Sequence, residues 1–466
     1  MTRWLNPSVL RKLLSTTLTA GCLGIAIVAV AGGFDPNLQE FPDPTGAVRT
    51  VSTTGSVDTT NPFFQSLGTN GRACISCHQP GDAWTVTPPH IQERFAASHG
   101  EDPIFRPVDG ANCPSADVST EEARERSYSM LLTKGLIRIS LAVPANAEFE
   151  VTRVRDPHHC PETTAHQLAM FRRPLPSTNL RFLATVMWDG RENTKGQTIL
   201  QDLATQSKDA TTGHAQALVP PTDQQAAQMV AFETALFTAQ ARDDAAGALN
   251  QVGAQGGPDT LPTQSFFLGI NDPLGGNPTG APFDPNAFTI FNAWADLPES
   301  APREDARQAV ARGQHLFNTL VIPITGVAGI NDVLNQPVVM GNCTTCHDAP
   351  NAGDHSLSVP LNIGITDFPA LAPLDTRGLP VYTLVCKATG QKFRVTDPGR
   401  AMITGKCADI GKTKGPILRG LAARAPYFHN GSGTTLLDVV NFYDRRFHLG
   451  LAEKQKEDLV AFLRSL

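Results

Sequence analysis

Two short motifs, Cys74-Ile75-Ser76-Cys77-His78 and Cys343-Thr344-Thr345-Cys346-His347, constrain this chain more than anything else in its 466 residues. A Cys-x-x-Cys pair followed at once by His is the attachment signature of c-type haem. The two thiols become thioethers to porphyrin vinyl groups, and the adjacent His is placed to ligate the iron from the proximal side. A zinc site would need four ligands in local pairs, and a thioredoxin-like redox pair does not require the trailing His. The expectation is therefore two covalently bound haem c groups, with His78 and His347 as iron ligands.

Bulk properties add bounds rather than a function. Hydrophobic residues make up 41% of the chain, enough for a sizeable core, while 39 glycines and 36 prolines predict long ordered loops between short helices. A net charge of −6 gives no electrostatic reason to expect a nucleic-acid partner. The N-terminus reads as an export signal over residues 1–31. Arg3, Arg11 and Lys12 precede an apolar run from Leu13 to Ala31 that ends in a small-x-small site, Ala29-Val30-Ala31. Two alternatives stay open there, lipidation at Cys22 and an uncleaved membrane anchor, and only the anchor would hold the protein at a membrane through an apolar span. Export to a bacterial periplasm agrees with haem attachment outside the cytoplasm. Setting aside the haem cysteines and Cys22 leaves Cys113, Cys160, Cys386 and Cys407, whose locally sensible pairing is Cys113–Cys160 and Cys386–Cys407.

The expected fold is mainly α: two cytochrome c-like haem domains with long loops and a small β-hairpin insertion in the first. Residues 32–252 form the N-terminal haem domain, with an insertion at about 79–178. A Gly-, Pro-, Asn- and Asp-rich stretch marks a linker within 253–300, and 301–466 form the C-terminal cytochrome c domain. Within the insertion, Ser119-Thr120-Glu121-Glu122 predicts a capping box and a helix to Lys134. Alternation over 136–143 and 148–154 predicts a hairpin. Helices are also expected over 222–242, 303–320 and 452–466.

Two further segments carry chemistry. The C-terminal half contains Ala425-Pro426-Tyr427-Phe428-His429-Asn430-Gly431 followed by a helical stretch through Tyr443, and the N-terminal half contains Met187-Trp188-Asp189-Gly190-Arg191. With the two haem motifs, these resemble the bacterial di-haem cytochrome c peroxidase and MauG superfamily, closely over 303–466 and not at all over most of 80–178. The resemblance implies that peroxide reacts at the N-terminal haem. The C-terminal haem then exchanges electrons or stores an oxidising equivalent, and Trp188 relays electrons between the two; the plain alternative is a core tryptophan with a bonded indole N–H. Arg191 is placed to hold a haem propionate or to pair with Asp189.

For the second haem, the family implies a Met or a Tyr as the far-side ligand. Tyr443 stands at the corresponding place and Met402 is the competing thioether, with His429 or no ligand as the remaining options. A phenolate stabilises oxidised iron, whereas a thioether favours the ferrous state. At the first haem, His90 and His99 follow the motif and are the candidates for a removable ligand. The family's acid–base Gln and Glu after Trp-Asp-Gly-Arg have no full counterpart, since no Glu lies between Glu192 and Glu233. Gln206 and His214 are expected to take those roles, with Asp209 in reserve.

The implied activity is reduction of hydrogen peroxide with electrons from a small cytochrome c or cupredoxin. The alternatives are a MauG-like oxidation of a protein or organic substrate and a di-haem electron carrier without peroxidase activity. Ca²⁺ is the further candidate cofactor.

Overall fold

The computed structural model describes residues 39–466 apart from 267–268, 278–279, 299–300 and 355–358. The expected export signal, with Cys22, lies outside the described residues. Among those residues no helix is long and apolar enough to cross a membrane.

The C-terminal region is built on one close helix pair. Helix Pro302–Thr319 starts on a proline, where no intrahelical N–H is missed, and carries Glu304 and Asp305 in its first turn against the helix dipole. It packs on helix Glu453–Arg464 at Gly313, where any side chain would collide with the Asp458 carbonyl. Val310, Phe317, Leu459, Phe462 and Leu463 fill the contact. The stretch expected to be a linker enters the same cluster through Ala254, Phe288, Phe291 and Trp294.

The expectation of a mainly α fold is overturned. Helix accounts for 31% and strand for 17% of the described residues. A four-stranded sheet runs in the order Glu40–Asp43, Gly46–Ser52, Leu236–Asp243, Gly247–Ala248. Its third strand is where the 222–242 helix was expected: helix Asp223–Thr234 stops, and Leu236–Asp243 pairs antiparallel with Gly46–Ser52. The apolar residues of that stretch bury equally well on a sheet, and only the distant partner strand decides the matter.

The insertion differs from expectation in the same way. Its helix breaks into Glu121–Ser127, capped by the Thr120 hydroxyl rather than by Ser119, and Ser129–Lys134. Strands Ile137–Ala142 and Phe149–Arg155 both form but do not pair with each other. The first pairs with Gln167–Arg172, and the second with Val381–Cys386 of the C-terminal half, which in turn pairs with Lys392–Val395. The insertion is thus stitched across the chain. The Tyr382 hydroxyl tightens the seam by donating to the Ala169 carbonyl at 2.6 Å while accepting from its N–H at 3.0 Å. Both expected disulfides, Cys113–Cys160 and Cys386–Cys407, are present.

Candidate haem sites

Each Cys-x-x-Cys-His motif folds as a single 3-10 turn that opens onto its own cavity. At the first, the Ser76 hydroxyl accepts from Ala73 N–H at 3.1 Å and His78 N–H bonds the Cys74 carbonyl at 3.1 Å, which sets both thiols and the imidazole on one short arc. His78 Nδ1 donates to the Trp84 carbonyl at 3.0 Å, leaving Nε2 as the basic nitrogen. That carbonyl is aimed by two consecutive left-handed residues, Ala83 (φ 50°) and Trp84 (φ 60°). Such backbone costs of order 1 kcal/mol per residue. It is held by burial of the Trp84 ring and by its indole N–H, which donates to Thr50 Oγ1 at 2.9 Å. Burial pushes His78 down to about 4, so the ring is neutral and suited to ligate a metal.

The second turn, Cys343–Thr345, is anchored by Asn342, whose amide donates to the Asn318 carbonyl at 2.6 Å. His347 is likewise pushed down to about 4 by burial, against a backbone hydrogen bond to Gly353.

The two cavities, about 1590 and 1480 Å³ counting space open to solvent, have different walls. The first is lined by Cys74, Cys77 and His78 and by ionisable and polar groups: Asp109, Gln206, His214, Glu233 and several cations. The second is lined by Cys343, Cys346 and His347 and by Phe317, Ile324, Leu361, Val440 and Phe447, with Tyr443 and His429 among its few polar groups.

These surroundings fit covalently held haem. The four motif cysteines are free thiols while the other four described cysteines are paired. Three buried guanidiniums facing the first cavity have no carboxylate partner among the described residues. Arg173 bonds the carbonyls of Lys134, Val86 and Arg424, and Arg424 bonds those of Gly420 and Ile417. Arg419, 2% exposed, leaves Nε and Nη1 unbonded, and burial pushes it down to about 9. Buried unpaired cations are costly, and an anionic group such as a porphyrin carboxylate relieves that cost.

Trp188 lines both cavities. Its Nε1–H donates to the Arg173 carbonyl at 2.7 Å, and its ring meets His429 edge-on at 6.0 Å between centroids. Around it runs a buried charge network. Arg172 forks onto Asp397 at 2.7 and 3.0 Å and reaches Asp189 at 2.5 Å. Arg191 pairs with Asp189 at 3.2 Å and also lines the first cavity. His429 Nε2 stands 3.5 Å from Asp397.

The remaining candidates separate clearly. Gln206, on helix Ile199–Gly213, and His214, at that helix's C-cap, line the first cavity. Gln201 is spent on the N-terminal capping box of the same helix, and Asp209 does not line the cavity. His90 bonds Asp82 at 2.7 Å and His99 bonds Glu121 at 3.0 Å, and neither lines either of these two cavities. Tyr443 lines the second cavity and packs with Cys343 and Cys346, and burial raises its phenol above the ordinary range. Met402 is a correction. It packs with Phe149, Tyr382 and Leu384 beneath the cross-chain sheet and lines neither cavity, because the Pro398–Gly405 loop is drawn to the insertion rather than to the haem motif.

Besides Arg173, Arg419 and Arg424, the first cavity brings together Asp109, Arg72 and Glu233, none of them expected from the sequence; Glu233 is 7% exposed and pushed up to about 7 by burial. Glu233 was visible as the next glutamate after Glu192, but only the helix-to-strand switch at residue 235 brings it to the cavity. Among the described residues, the group of His, Cys, Asp or Glu close enough to hold an ion is Cys113, Cys160 and Glu162, whose cysteines are bonded to each other. It offers no carboxylate cluster for Ca²⁺.

No protein-family model matches the chain. Among curated proteins, cytochrome-c peroxidase IdrP1 of Denitromonas iodatirespirans is 34% identical over 139 residues, 27% of this chain and 36% of that protein. IdrP2 of the same organism is 36% identical over 141 residues with the same coverage, and IdrP1 of Pseudomonas sp. (strain SCT) is 31% identical over 144. The chain therefore spans about a third of the length of the curated relatives it matches. A solved MauG-like protein associated with microbial copper homeostasis aligns over 93% of this chain and 95% of its own, with 16% identity and a TM-score of 0.39. Over the matched stretch the chain is similar in sequence to these cytochrome-c peroxidases.

Proposed function

We propose that this protein is a di-haem c-type oxidoreductase that reduces hydrogen peroxide in the first cavity, with electrons from a small cytochrome c or cupredoxin entering at the second. The observation that carries the reading is the unequal lining of the two cavities, joined by one shared tryptophan: proton-handling side chains face the first, and Trp188 faces both. Haem bound there supplies the iron that takes up peroxide and the store for a transferred electron.

The chain's own residues have separate tasks. Cys74, Cys77 and His78 hold one group, and Cys343, Cys346 and His347 hold the other. Arg173, Arg419 and Arg424 neutralise carboxylates at the first. Gln206 and His214 orient peroxide and move its proton. Trp188, fixed by its bond to Arg173, offers an aromatic path between the cavities. The two disulfides support a location outside the cytoplasm, in keeping with a periplasmic protein. A MauG-like variant, in which the oxidised protein attacks a protein or organic substrate, is favoured by one observation, that Tyr443 and not Met402 lines the second cavity.

The test is to mix the holoprotein, as isolated and half-reduced, with one equivalent of hydrogen peroxide and follow the haem spectrum. Rapid change only when half-reduced is the result expected of the peroxidase. Rapid change in the fully oxidised protein selects the MauG-like variant. No change in either form leaves an electron carrier.

A further inference from the structure

His214 does not stand alone in the first cavity. Its Nδ1 bonds Asp109 Oδ2, the other oxygen of Asp109 is bonded by Arg72 Nη1, and Arg72 also donates to the His214 carbonyl at 3.2 Å. Arg72 is itself locked by the carbonyls of Pro103 (2.9 Å) and Ile104 (2.6 Å). All three residues line the cavity that His78 lines. Among the described residues, His214 Nε2 has no hydrogen-bond partner. Asp109 comes from the insertion, Arg72 from the turn just before the haem motif, and His214 from a helix C-cap, so three separate segments converge on one imidazole.

We propose that Asp109, backed by Arg72, is the positioning residue that holds His214 in one tautomer and aims Nε2 into the first cavity as the proton-transfer group for peroxide. This rests on the peroxide reading above. A carboxylate that accepts from Nδ1–H leaves Nε2 basic, which is the logic of an Asp–His pair. Burial alone would raise the Asp109 carboxyl, but the Arg72 guanidinium and the His214 bond hold it below its ordinary value, so it is ionised and able to play that part. His214 Nε2 takes a proton from one oxygen of H₂O₂ and returns it to the other as the O–O bond breaks and water leaves. The oxygen left behind becomes the second water by taking two protons from solvent and two electrons, delivered one at a time by the donor protein. The charged and titratable groups facing His214 are Asp109 and Arg72 and, across the same cavity, His78, Glu233, Arg172, Arg173, Arg191, Lys414, Arg419 and Arg424.

The test compares holoprotein variants Asp109→Asn, His214→Gln and the double change, by stopped-flow reaction with peroxide and by association of cyanide with the oxidised protein. Cyanide arrives as HCN and must also lose a proton, so it reads the same group without turnover. His214→Gln keeps the Asp109–Arg72 pair intact and should slow both reactions about 10²–10⁴-fold, the range for a lost acid–base group. Asp109→Asn should slow both, shift the pH profile of cyanide association, and cause no further loss on top of His214→Gln, as expected of residues acting as a unit. Wild-type rates and pH profile in Asp109→Asn would overturn the proposal. So would a change in the iron coordination spectrum of His214→Gln, which would make His214 an iron ligand. Should wild type bind cyanide with this dependence yet ignore peroxide, the peroxide reading fails while the positioning role stands.

Discussion

The two candidate haem cavities begin from the same five-residue motif and the same kind of turn, yet share almost nothing else. Around His347 the walls come largely from the C-terminal helices and strand Ile322–Thr325, and they are apolar apart from a few groups such as Tyr443 and His429. Around His78 the walls come from widely separated segments that deliver Asp109, Gln206, His214 and Glu233. An apolar surrounding suits a centre that changes charge without exchanging protons, whereas breaking an O–O bond needs groups that give and take them. The contrast teaches that the motif specifies attachment and the remainder of each wall specifies chemistry.

The harshest way to test that division is to remove one attachment site at a time. Cys343→Ala with Cys346→Ala should abolish steady-state turnover while a single stoichiometric reaction with peroxide persists; Cys74→Ala with Cys77→Ala should abolish both. Steady-state assays set against single-turnover stopped flow separate these outcomes, with haem content of each variant as the control.

The next largest effect belongs to the network between the cavities. Arg172 is buried against two buried carboxylates, and Arg172→Met should destabilise the holoprotein by about 3–5 kcal/mol in denaturant unfolding, because Asp189 and Asp397 are left buried without it. A loss under 1 kcal/mol would mean that the two halves do not depend on this joint.

Glu233 gives a pH test confined to the first cavity. Its folded value, about 7, lies above its ordinary 4.5, so its contribution to stability is whole below pH 4.5 and is lost as pH rises through 7. Unfolding free energy should fall by up to about 3 kcal/mol across that window, and Glu233→Gln should flatten the fall. The smallest expected change is at the second cavity. Tyr443→Met should leave stability and cyanide association unchanged but raise the reduction potential of one haem only, by a fraction of the ~0.8 V that axial ligands span. A shift in both potentials in a redox titration would erase the distinction between the cavities.

What was legible in the sequence follows the range of the interactions. Local signals held: the two attachment turns, the helices Pro302–Thr319 and Glu453–Arg464, and cysteine pairs that each close a loop within one half of the chain. What failed was long-range. Leu236–Asp243 carries apolar residues that serve a helix or a strand, and it becomes a strand because Gly46–Ser52 lies beside it. Phe149–Arg155 looked like half of a hairpin and instead joins Val381–Cys386. Met402 looked well placed along the chain but follows that same sheet away from the haem motif. Asp109 was unreadable for a related reason: an aspartate in a loop gains meaning only when Arg72 and His214 arrive beside it.

The most direct test of the central claim is stopped-flow mixing of half-reduced holoprotein with one equivalent of hydrogen peroxide, for wild type and Trp188→Phe, resolving the spectra of the two haems. The account predicts the same fast first phase at the His78 haem in both proteins, with oxidation of the His347 haem slowed in the variant alone. Equal rates of that second phase would contradict it, as would a first phase at the His347 haem.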